Sequence, residues 1–405
     1  MQPIIPLKGI VQHYDWGGFD FLPQLLSQSN INHQAFAELW MGTHKNGTAI
    51  ALLADRELSL KTLIEQNPEA ILGPSVSKHF QGQLPFLFKI LDVRKMLSIQ
   101  AHPNKANAIA GFRFENEQGV PLHAPHRNFK DDNHKPEVMV ALTDFWLLHG
   151  FQSATAIARV LTNTPEFASL LPAFKEKNTK RLYQTIMEMP QIAVDQLLQP
   201  LKERLELAEK KGELEKSSPD YWANLAFKDY TRDGHYDRGI FSIYLFNLVF
   251  IPTGQGIFQD AGIPHAYLEG VNVELMANSD NVFRGGLTPK HVDVPELLKH
   301  LVFDAVTPQI LQGEKQNEVE TYFPTPAADF ALFQLQFDQG QQLEKPAQQT
   351  AFIYIVLEGI VHVSSNNQRG IFQQGDSFMV PATYAIKMTA QDKALLFGAS
   401  AGKIV

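Results

Sequence analysis

The sequence predicts a mainly β protein with a helical insertion, and three observations support this fold class. Short apolar runs bounded by turn residues fill residues 1–150 and return at 236–310, which is the pattern of β-strands. Residues 151–235 instead repeat apolar side chains at helical spacing. Residues 321–405 are strand-rich again. Because 405 residues exceed the usual size of one hydrophobic core, we expect three domains: a discontinuous β-domain (1–150 with 236–310), a helical domain and a C-terminal β-domain.

Local patterns predict the individual elements in chain order. The run SLKTLIEQNPEAIL predicts one helix with Ser59 as its N-cap, because serine is favoured there and apolar residues follow at helical spacing. The runs LPFLFKILDV, MLSIQAH and PEVMVAL predict strands. Three segments with helical periodicity and prolines at their breaks form the insertion. The apolar stretch IFSIYLFNLVFI at 240–251 predicts a buried strand, and the polar residues 309–321 predict a linker.

Composition excludes several classes of function. The formal net charge is −8 and no run of Lys or Arg occurs, which argues against nucleic acid as a partner. No stretch has the form of a signal peptide or reaches membrane-spanning length, so we expect a cytoplasmic protein without a membrane partner. The absence of cysteine excludes thiolate ligands, and a metal site must use His, Asp, Glu, Asn or Gln.

The C-terminal segment follows the spacing of the cupins, a family of small jelly-roll β-barrels. Their pattern is G, five residues, H-x-H, three or four residues, E, six residues, G, and later G, five residues, P, two residues, H. The positions of this pattern are occupied by Gly340, Pro346, Gln348, Phe352 and Gly359, and then by Gly375, Pro381 and Tyr384. The turn-forming residues are kept and the four metal ligands are replaced. We therefore expect residues 321–405 to form a metal-free cupin-like domain.

The same pattern, with stretched intervals, fits a possible metal site in the first β-domain. Gln100 and His102 lie two residues apart and so share one face of a strand. Glu137 takes the carboxylate position and His265 the position of the last histidine. Two imidazoles, a carboxylate and an amide oxygen suit zinc and other divalent metals. From the residues alone, a structural, hydrogen-bonded role for His102 beside Pro103 stays an alternative.

Four motifs at these positions resemble those of the type I mannose-6-phosphate isomerase family. They are LSIQAHPNK at 97–105, NHKPEV at 133–138, PHAY at 264–267 and MANSDNVFRGGLTPKH at 276–291. The resemblance implies two cupin-like barrels and one zinc ion per chain, held by the four residues Gln100, His102, Glu137 and His265. It implies a monomeric aldose–ketose isomerase whose partner is a small sugar phosphate: mannose 6-phosphate and fructose 6-phosphate are interconverted through a cis-enediol.

The resemblance also implies roles for the pocket residues. Arg284 matches the active-site arginine and would stabilise the enediol charge together with the metal. Substrate contacts would come from Ser98 and Lys135 at the phosphate, and from Tyr267 and Asp280 in the surrounding pocket. The base stays open between Glu274, Lys290 and a zinc-held water.

Two positions depart from the family pattern, and two other function classes compete. Gly285 stands where alanine is expected, and Ile263 where related chains often carry a polar residue. A cupin oxygenase would hold iron with two histidines and a carboxylate, and would leave open the position that Gln100 fills. A non-catalytic sugar-binding cupin would not need Arg284 and Glu274 beside the metal.

Overall fold

The computed structural model describes residues 2–404 and is mainly β with some helices. Its α-helices are α1 (Phe21–Leu25), α2 (Leu60–Gln66), α3 (Pro68–Leu72), α4 (Pro74–His79), α5 (Lys105–Glu117), α6 (Ala154–Asn163), α7 (Thr179–Glu188), α8 (Gln191–Lys210), α9 (Pro219–Tyr230), α10 (Gly239–Leu245) and α11 (Val294–His300), and a 3-10 helical segment covers Pro165–Lys177. Among residues 2–404, no helix has both the length and the apolarity needed to cross a bilayer.

The strands before the last third of the chain are β1 (Ile5–Lys8), β2 (Ile10–Gln12), β3 (Glu38–Met41), β4 (Thr43–His44), β5 (Gly47–Thr48), β6 (Ile50–Leu52), β7 (Glu57–Ser59), β8 (Phe86–Val93), β9 (Ile99–Ala101), β10 (Glu137–Ala141), β11 (Phe145–Phe151), β12 (Phe246–Ile251), β13 (Gly256–Gln259), β14 (His265–Ala277) and β15 (Phe283–Gly286). The remaining strands are β16 (Ile310–Leu311), β17 (Glu314–Lys315), β18 (Glu320–Phe323), β19 (Ala331–Phe337), β20 (Gln342–Lys345), β21 (Phe352–Glu358), β22 (Ile360–Ser365), β23 (Gln368–Gln373), β24 (Ser377–Val380), β25 (Ile386–Ala390) and β26 (Ala394–Ser400).

Strand β14 is the centre of the first sheet. It is 13 residues long and pairs antiparallel with β8 and β10 along its second half. Its first residues pair with β9 and β11. One face of β8, β10 and β14 packs against apolar residues of the C-terminal strands, including Ile353 and Phe397, in a shared core. The other face carries Lys89, Glu137 and Glu274, so alternation along the strands separates a core face from a charged one.

The C-terminal strands form a nine-stranded sheet and a four-stranded sheet. The larger sheet has the order β17-β18-β19-β26-β21-β24-β1-β6-β7, and so it includes three strands from the N-terminal region. Ile5 pairs with Met379, and Leu7 pairs with both Ser377 and Ala51. The sequence predicts these N-terminal residues in the first β-domain, so the sheet order crosses the predicted boundary. A strand's sheet partners depend on long-range pairing, which its own residues do not specify.

Local patterns misassigned two helical elements. Residues 240–251, predicted as one strand, form helix α10 and then strand β12. All of α10 is buried, and a helix surrounded by core is as continuously apolar as a buried strand. The predicted helix after Ser59 is two helices divided at Asn67, with Pro68 starting the second. The Ser59 cap is confirmed, because its hydroxyl accepts the Thr62 N–H at 3.4 Å.

A buried ion pair joins the two C-terminal sheets. Lys345 on β20 pairs with Glu320 on β18, and both side chains are buried. The Lys345 ammonium also lies 4.6 Å from the ring centroid of Phe352 and 4.9 Å from that of Phe333. Phe352 occupies the carboxylate position of the cupin pattern. This region therefore holds a fixed ammonium group beside a ring that stands where a metal ligand would be.

We expect Lys345→Met to lower the free energy of unfolding by about 3–5 kcal/mol, because it leaves a buried carboxylate without its counter-charge. The double variant Lys345→Met/Glu320→Gln should recover part of this loss, since no buried charge remains unpaired. Urea denaturation followed by circular dichroism measures both. The control Lys387→Met removes an exposed pair with Glu344 and should cost less than about 1 kcal/mol. A single variant as stable as this control would contradict the assignment.

Candidate active site

Three predicted ligands converge at one end of the first sheet. Glu137 begins β10, His265 begins β14, and His102 follows β9 directly. One ligand atom from each lies within 4.8 Å of the others, and all three residues are buried. The distances from Glu137 are 3.5 Å (Oε1) to Nε2 of His102 and 3.4 Å (Oε2) to Nε2 of His265. In the part of the chain that the structure describes, this is the one His/Asp/Glu group of its kind.

Backbone carbonyls orient both imidazoles toward this centre. Nδ1 of His102 lies 2.7 Å from the carbonyl oxygen of Asn281, and Nδ1 of His265 lies 2.9 Å from that of Ile263. A ring that donates its Nδ1 proton presents the lone pair of Nε2, and both Nε2 atoms are buried without a hydrogen-bond partner among residues 2–404. The departure at Ile263 leaves this arrangement intact, because the backbone carbonyl holds His265.

The protonation states match a metal-ligand set. Burial, reinforced by the charge of Lys135, lowers the pKa of His102 to about 4, so its imidazole is neutral near neutral pH. Burial opposes ionisation of Glu137, but Lys135 and the two histidines outweigh it and hold the pKa of Glu137 well below its usual value. The contact between the Glu137 carboxylate and His102 is therefore not an ion pair. The Nε2 atoms of both rings lie beside this carboxylate, and a divalent cation fits between the three groups.

Gln100 lies beside this group. Its Cα pairs with His265 on one side and with Arg284 on the other. Strand alternation puts Ser98, Gln100 and His102 on one face. Gln100 makes no side-chain hydrogen bond within residues 2–404, so its amide is free to act as a ligand.

Arg284 and Lys290 are cationic groups without carboxylate partners. Neither side chain makes a hydrogen bond or an ion pair with any residue in the described range 2–404. Burial lowers the pKa of Arg284, and burial together with the nearby Arg284 charge lowers that of Lys290. The Arg284 guanidinium is thus partly desolvated and available to an anion, whereas Lys290 lies on an exposed turn.

The departure at Gly285 is explained by packing. A Cβ there would lie 2.9 Å from the Ile99 side chain and 3.1 Å from the Tyr183 hydroxyl. Tyr183 is a fully buried residue of α7, and its hydroxyl accepts a hydrogen bond from Ser242 at 3.3 Å. Glycine at position 285 therefore allows α7 to pack closely against β15. The departure from alanine affects this packing and not a residue of the proposed site.

A second set of charges lies on the same face of the sheet, and the sequence singled out only its member Glu274. Lys89 Nζ lies 3.0 Å from Oε1 of Glu274 and 3.3 Å from Oε2 of Glu38, and all three side chains are buried. Burial opposes the charged form of Lys89, but the two carboxyl groups raise its pKa overall. The pKa of Glu274 is raised overall, because the effect of burial exceeds the opposing effect of the Lys89 charge. A lone lysine within the apolar run FLFKILDV was the available signal, because an unexplained charge in a buried strand marks a paired or functional group.

Tyr267 is a buried residue of β14 near Glu274. Burial and the charge of Glu274 raise its pKa well above the usual value. Gln259, which the sequence did not single out, donates its side-chain N–H to the Tyr267 hydroxyl at 3.0 Å. Tyr267 is 2% exposed, so its hydroxyl is shielded from bulk water.

The two other predicted substrate residues already have partners. Lys135 Nζ lies 2.9 Å from Oε1 of Glu137, at the metal end of the site. Asp280 lies 3.0 Å from His44 Nε2 and 2.9 Å from Lys45 Nζ. Burial opposes the ionisation of Asp280, but these two partners outweigh it and lower its pKa. His44 and Lys45, which the sequence did not single out, are therefore the ion-pair partners of Asp280.

Comparisons with known proteins agree with this geometry. A family model described as phosphomannose isomerase type I, catalytic domain, matches residues 4–154. The chain is 38% identical to the mannose-6-phosphate isomerase of Salmonella typhimurium over 92% of this chain and 93% of that one. It is 33% identical to the human protein of the same name, over 98% of each. A solved mannose 6-phosphate isomerase with zinc bound matches with a TM-score of 0.88, at 33% identity and 100% coverage of both chains. The Salmonella typhimurium enzyme bound to its substrate f6p and zinc gives the same values.

We expect Gln100→Ala to weaken zinc binding by about tenfold or more, since it removes one oxygen ligand from a site preformed by three others. Competition with a chromophoric chelator measures the affinity. Ser98→Ala is the matched control, because Ser98 shares the strand face and should leave the affinity unchanged. Unaltered zinc affinity in the Gln100 variant would exclude Gln100 from the ligand set.

The Lys89→Met variant should be less stable than the original chain by an amount that grows with pH. Without Lys89 the pKa of Glu274 rises further, because the group that lowers it is gone. When a carboxyl group has a higher pKa in the folded than in the unfolded state, the free energy of unfolding falls as pH rises between these two pKa values. The stability deficit of the variant should therefore increase above about pH 5. Urea denaturation across a pH series tests this. Lys61→Met, at an exposed lysine, should show no such trend, and a deficit independent of pH would refute the charge argument.

Proposed function

The chain belongs to the phosphomannose isomerase type I family and is an enzyme of this class, and we propose that it interconverts mannose 6-phosphate and fructose 6-phosphate with one zinc ion. The observation that carries the proposal is the convergence of the buried Nε2 atoms of His102 and His265 on the Glu137 carboxylate. Arg284, unpartnered within residues 2–404, lies on the strand next to Gln100. A divalent cation held by these ligands would therefore lie near a desolvated guanidinium.

The donor set fits zinc. Gln100, His102, Glu137 and His265 would hold the ion through nitrogen and oxygen atoms, with a neutral His102 imidazole and an ionised Glu137 carboxylate. When bound, zinc supplies a Lewis-acidic positive charge for substrate oxygens. Asn281 and Ile263 support the set from behind through their carbonyls, which keeps the two rings in the coordinating tautomer.

The isomerisation moves one proton between C2 and C1 and another between the two oxygens. Taking the proton from C2 of the open-chain aldose leaves a cis-enediolate with negative charge on O1. Transfer of the hydroxyl proton from O2 to O1 and return of the carbon-bound proton to C1 then yield the ketose. Arg284 stabilises this developing charge, because its guanidinium stays protonated and is partly removed from water.

Glu274 is the base that the geometry favours. Burial raises its pKa, which makes it a stronger base than an exposed carboxylate, while Lys89 at 3.0 Å keeps it in place and favours its ionised form. Lys290, the competing candidate, lies on an exposed turn beside Arg284. Its positive charge suits attraction of the substrate dianion better than removal of a carbon-bound proton.

Substrate recognition follows from the groups at the edges of the site. Ser98 lies on the same strand face as Gln100 and is proposed to contact the phosphate. Lys135 is proposed to bind substrate oxygens as a point charge at the metal end, where it also meets Glu137. Asp280, held by His44 and Lys45, and the buried Tyr267 complete the proposed pocket.

The finer architecture is part of the same proposal. We infer two cupin-like jelly-roll barrels, the catalytic one from 1–150 with 236–310 and a metal-free one from 321–405, with a helical domain at 151–235. The glycines of the C-terminal pattern support the second barrel, since Gly340, Gly359 and Gly375 all have positive φ. A monomer and a cytoplasmic location are retained as predictions.

The test is isomerisation in D2O followed by NMR. The zinc-loaded chain should convert mannose 6-phosphate into fructose 6-phosphate and should introduce solvent deuterium at the C1 and C2 positions over many turnovers, because an enediol route passes the carbon-bound proton through an exchangeable base. A chelator should abolish conversion and added zinc should restore it.

Two results would count against the proposal at different levels. Zinc-loaded protein that leaves both sugars unchanged would refute the isomerase function. Full conversion to equilibrium without any deuterium would leave the isomerase function standing and would refute a base that exchanges its proton with solvent during the reaction.

A further inference from the structure

The carboxyl group of Asp237 joins two segments that meet behind the site. Asp237 lies between the helical region and helix α10, where the chain returns to the first sheet. Its Oδ1 accepts the backbone N–H of Gly239 at 2.7 Å and that of Leu287 at 2.8 Å. Its Oδ2 accepts the backbone N–H of Thr288 at 3.2 Å. One side chain thus holds the turn that follows β15, the strand of Arg284.

This turn needs outside support. Gly286 and Leu287 both have positive φ, at 119° and 51°, and the second is an unfavourable value for a residue with a side chain. The approach is also close, because a Cβ on Gly286 would lie 2.5 Å from the Cα of Gly239. Burial raises the pKa of Asp237, and the three N–H donors act in the opposite direction. The turn conformation is therefore maintained by contacts with the 237–239 segment.

Arg284 depends on what holds this turn. Its side chain has no partner within residues 2–404, so its direction is set by the backbone of β15. The ladder between β15 and β9 pairs Arg284 with Gln100, and its register then shifts before Gly286. The ladder resumes where Gly286 pairs with Ile99, and the Asp237 carboxyl then anchors the next two residues, Leu287 and Thr288.

We propose that Asp237 is a positioning residue, which fixes the 286–288 turn and through it the placement of the Arg284 guanidinium in the cleft. This inference rests on the proposed isomerase function. It means that the 237–239 segment, which joins the helical region to the first sheet, contributes to the isomerisation. Because the charge that Arg284 meets develops in the transition state, misplacing it should affect kcat more than KM.

The primary variant is Asp237→Asn, which retains one acceptor oxygen but turns an amide donor toward an N–H group. We expect kcat to fall by about tenfold to a hundredfold, with a smaller change in KM and unchanged zinc content. Asp237→Ser, smaller and without an opposing donor, should give the same pattern and replaces the first variant if that one does not fold. A kcat equal to that of the original chain in a folded variant overturns the proposal.

The matched control is Asp220→Asn. Asp220 accepts a hydrogen bond from Tyr244 of α10 at 2.6 Å and pairs with Arg204, so it supports the same helix without touching the turn. This variant should lower the melting temperature and leave kcat unchanged. An equal fall in kcat in the control would mean that Asp237 acts only by stabilising the helical region, and it would refute a specific role of Asp237 in positioning Arg284.

Two further readouts separate the possible failures. In an Arg284→Lys background, Asp237→Asn should lower kcat little further, because the group it positions is already changed, whereas full additivity contradicts the proposal. Amide hydrogen exchange at Leu287 and Thr288 should speed up in Asp237→Asn, and unchanged exchange overturns the anchoring step. Hydrogen exchange can be measured without enzyme activity. If the original chain has no isomerase activity, the proposed function is refuted, and the exchange rates still show whether Asp237 holds the turn.

Discussion

Charge balance among buried side chains is the constraint on which the site depends. Three carboxyl groups, those of Glu38, Glu137 and Glu274, share one face of the first sheet with the ammonium groups of Lys89 and Lys135. Charges removed from bulk water are tolerated only when paired, and here the acids outnumber the bases. A bound divalent cation reverses this excess. The ligands are therefore held in a region whose own electrostatics favours a cation, and the same charges set the pKa of the proposed base.

The sequence predicted the parts of the site that depend on local geometry. Strand alternation placed Gln100 and His102 on one face. The grouping of His102 with Glu137 and His265 came instead from the cupin-like spacing and the family motifs, and in the structure these three residues lie together. The Ser59 cap was predictable for the same reason, because the N-terminus of a helix is specified within a few residues. The ligand role of Gln100 stays a prediction.

Features that arise from long-range packing were not predictable from local patterns. Lys89 and Glu38 are 51 positions apart in the chain and meet only because β3 pairs with β8. Residues 239–245 were misassigned because complete burial removes the polar face that distinguishes a helix. Asp131 accepts hydrogen bonds from the Ser279 hydroxyl and from the Asp280 backbone, which lie 148 and 149 positions away in the chain and are brought to it by the fold.

The sheet order also constrains how the protein can be made. Strand β1 is synthesised well before its partner β24, because Leu7 and Ser377 are 370 positions apart in the chain. During synthesis, β1 can pair with β6 while its other edge stays open until β24 has emerged. Such distant pairing favours slow folding. A chain that terminates before β24 would expose this edge permanently, so premature truncation would carry an aggregation risk in addition to the loss of the C-terminal strands.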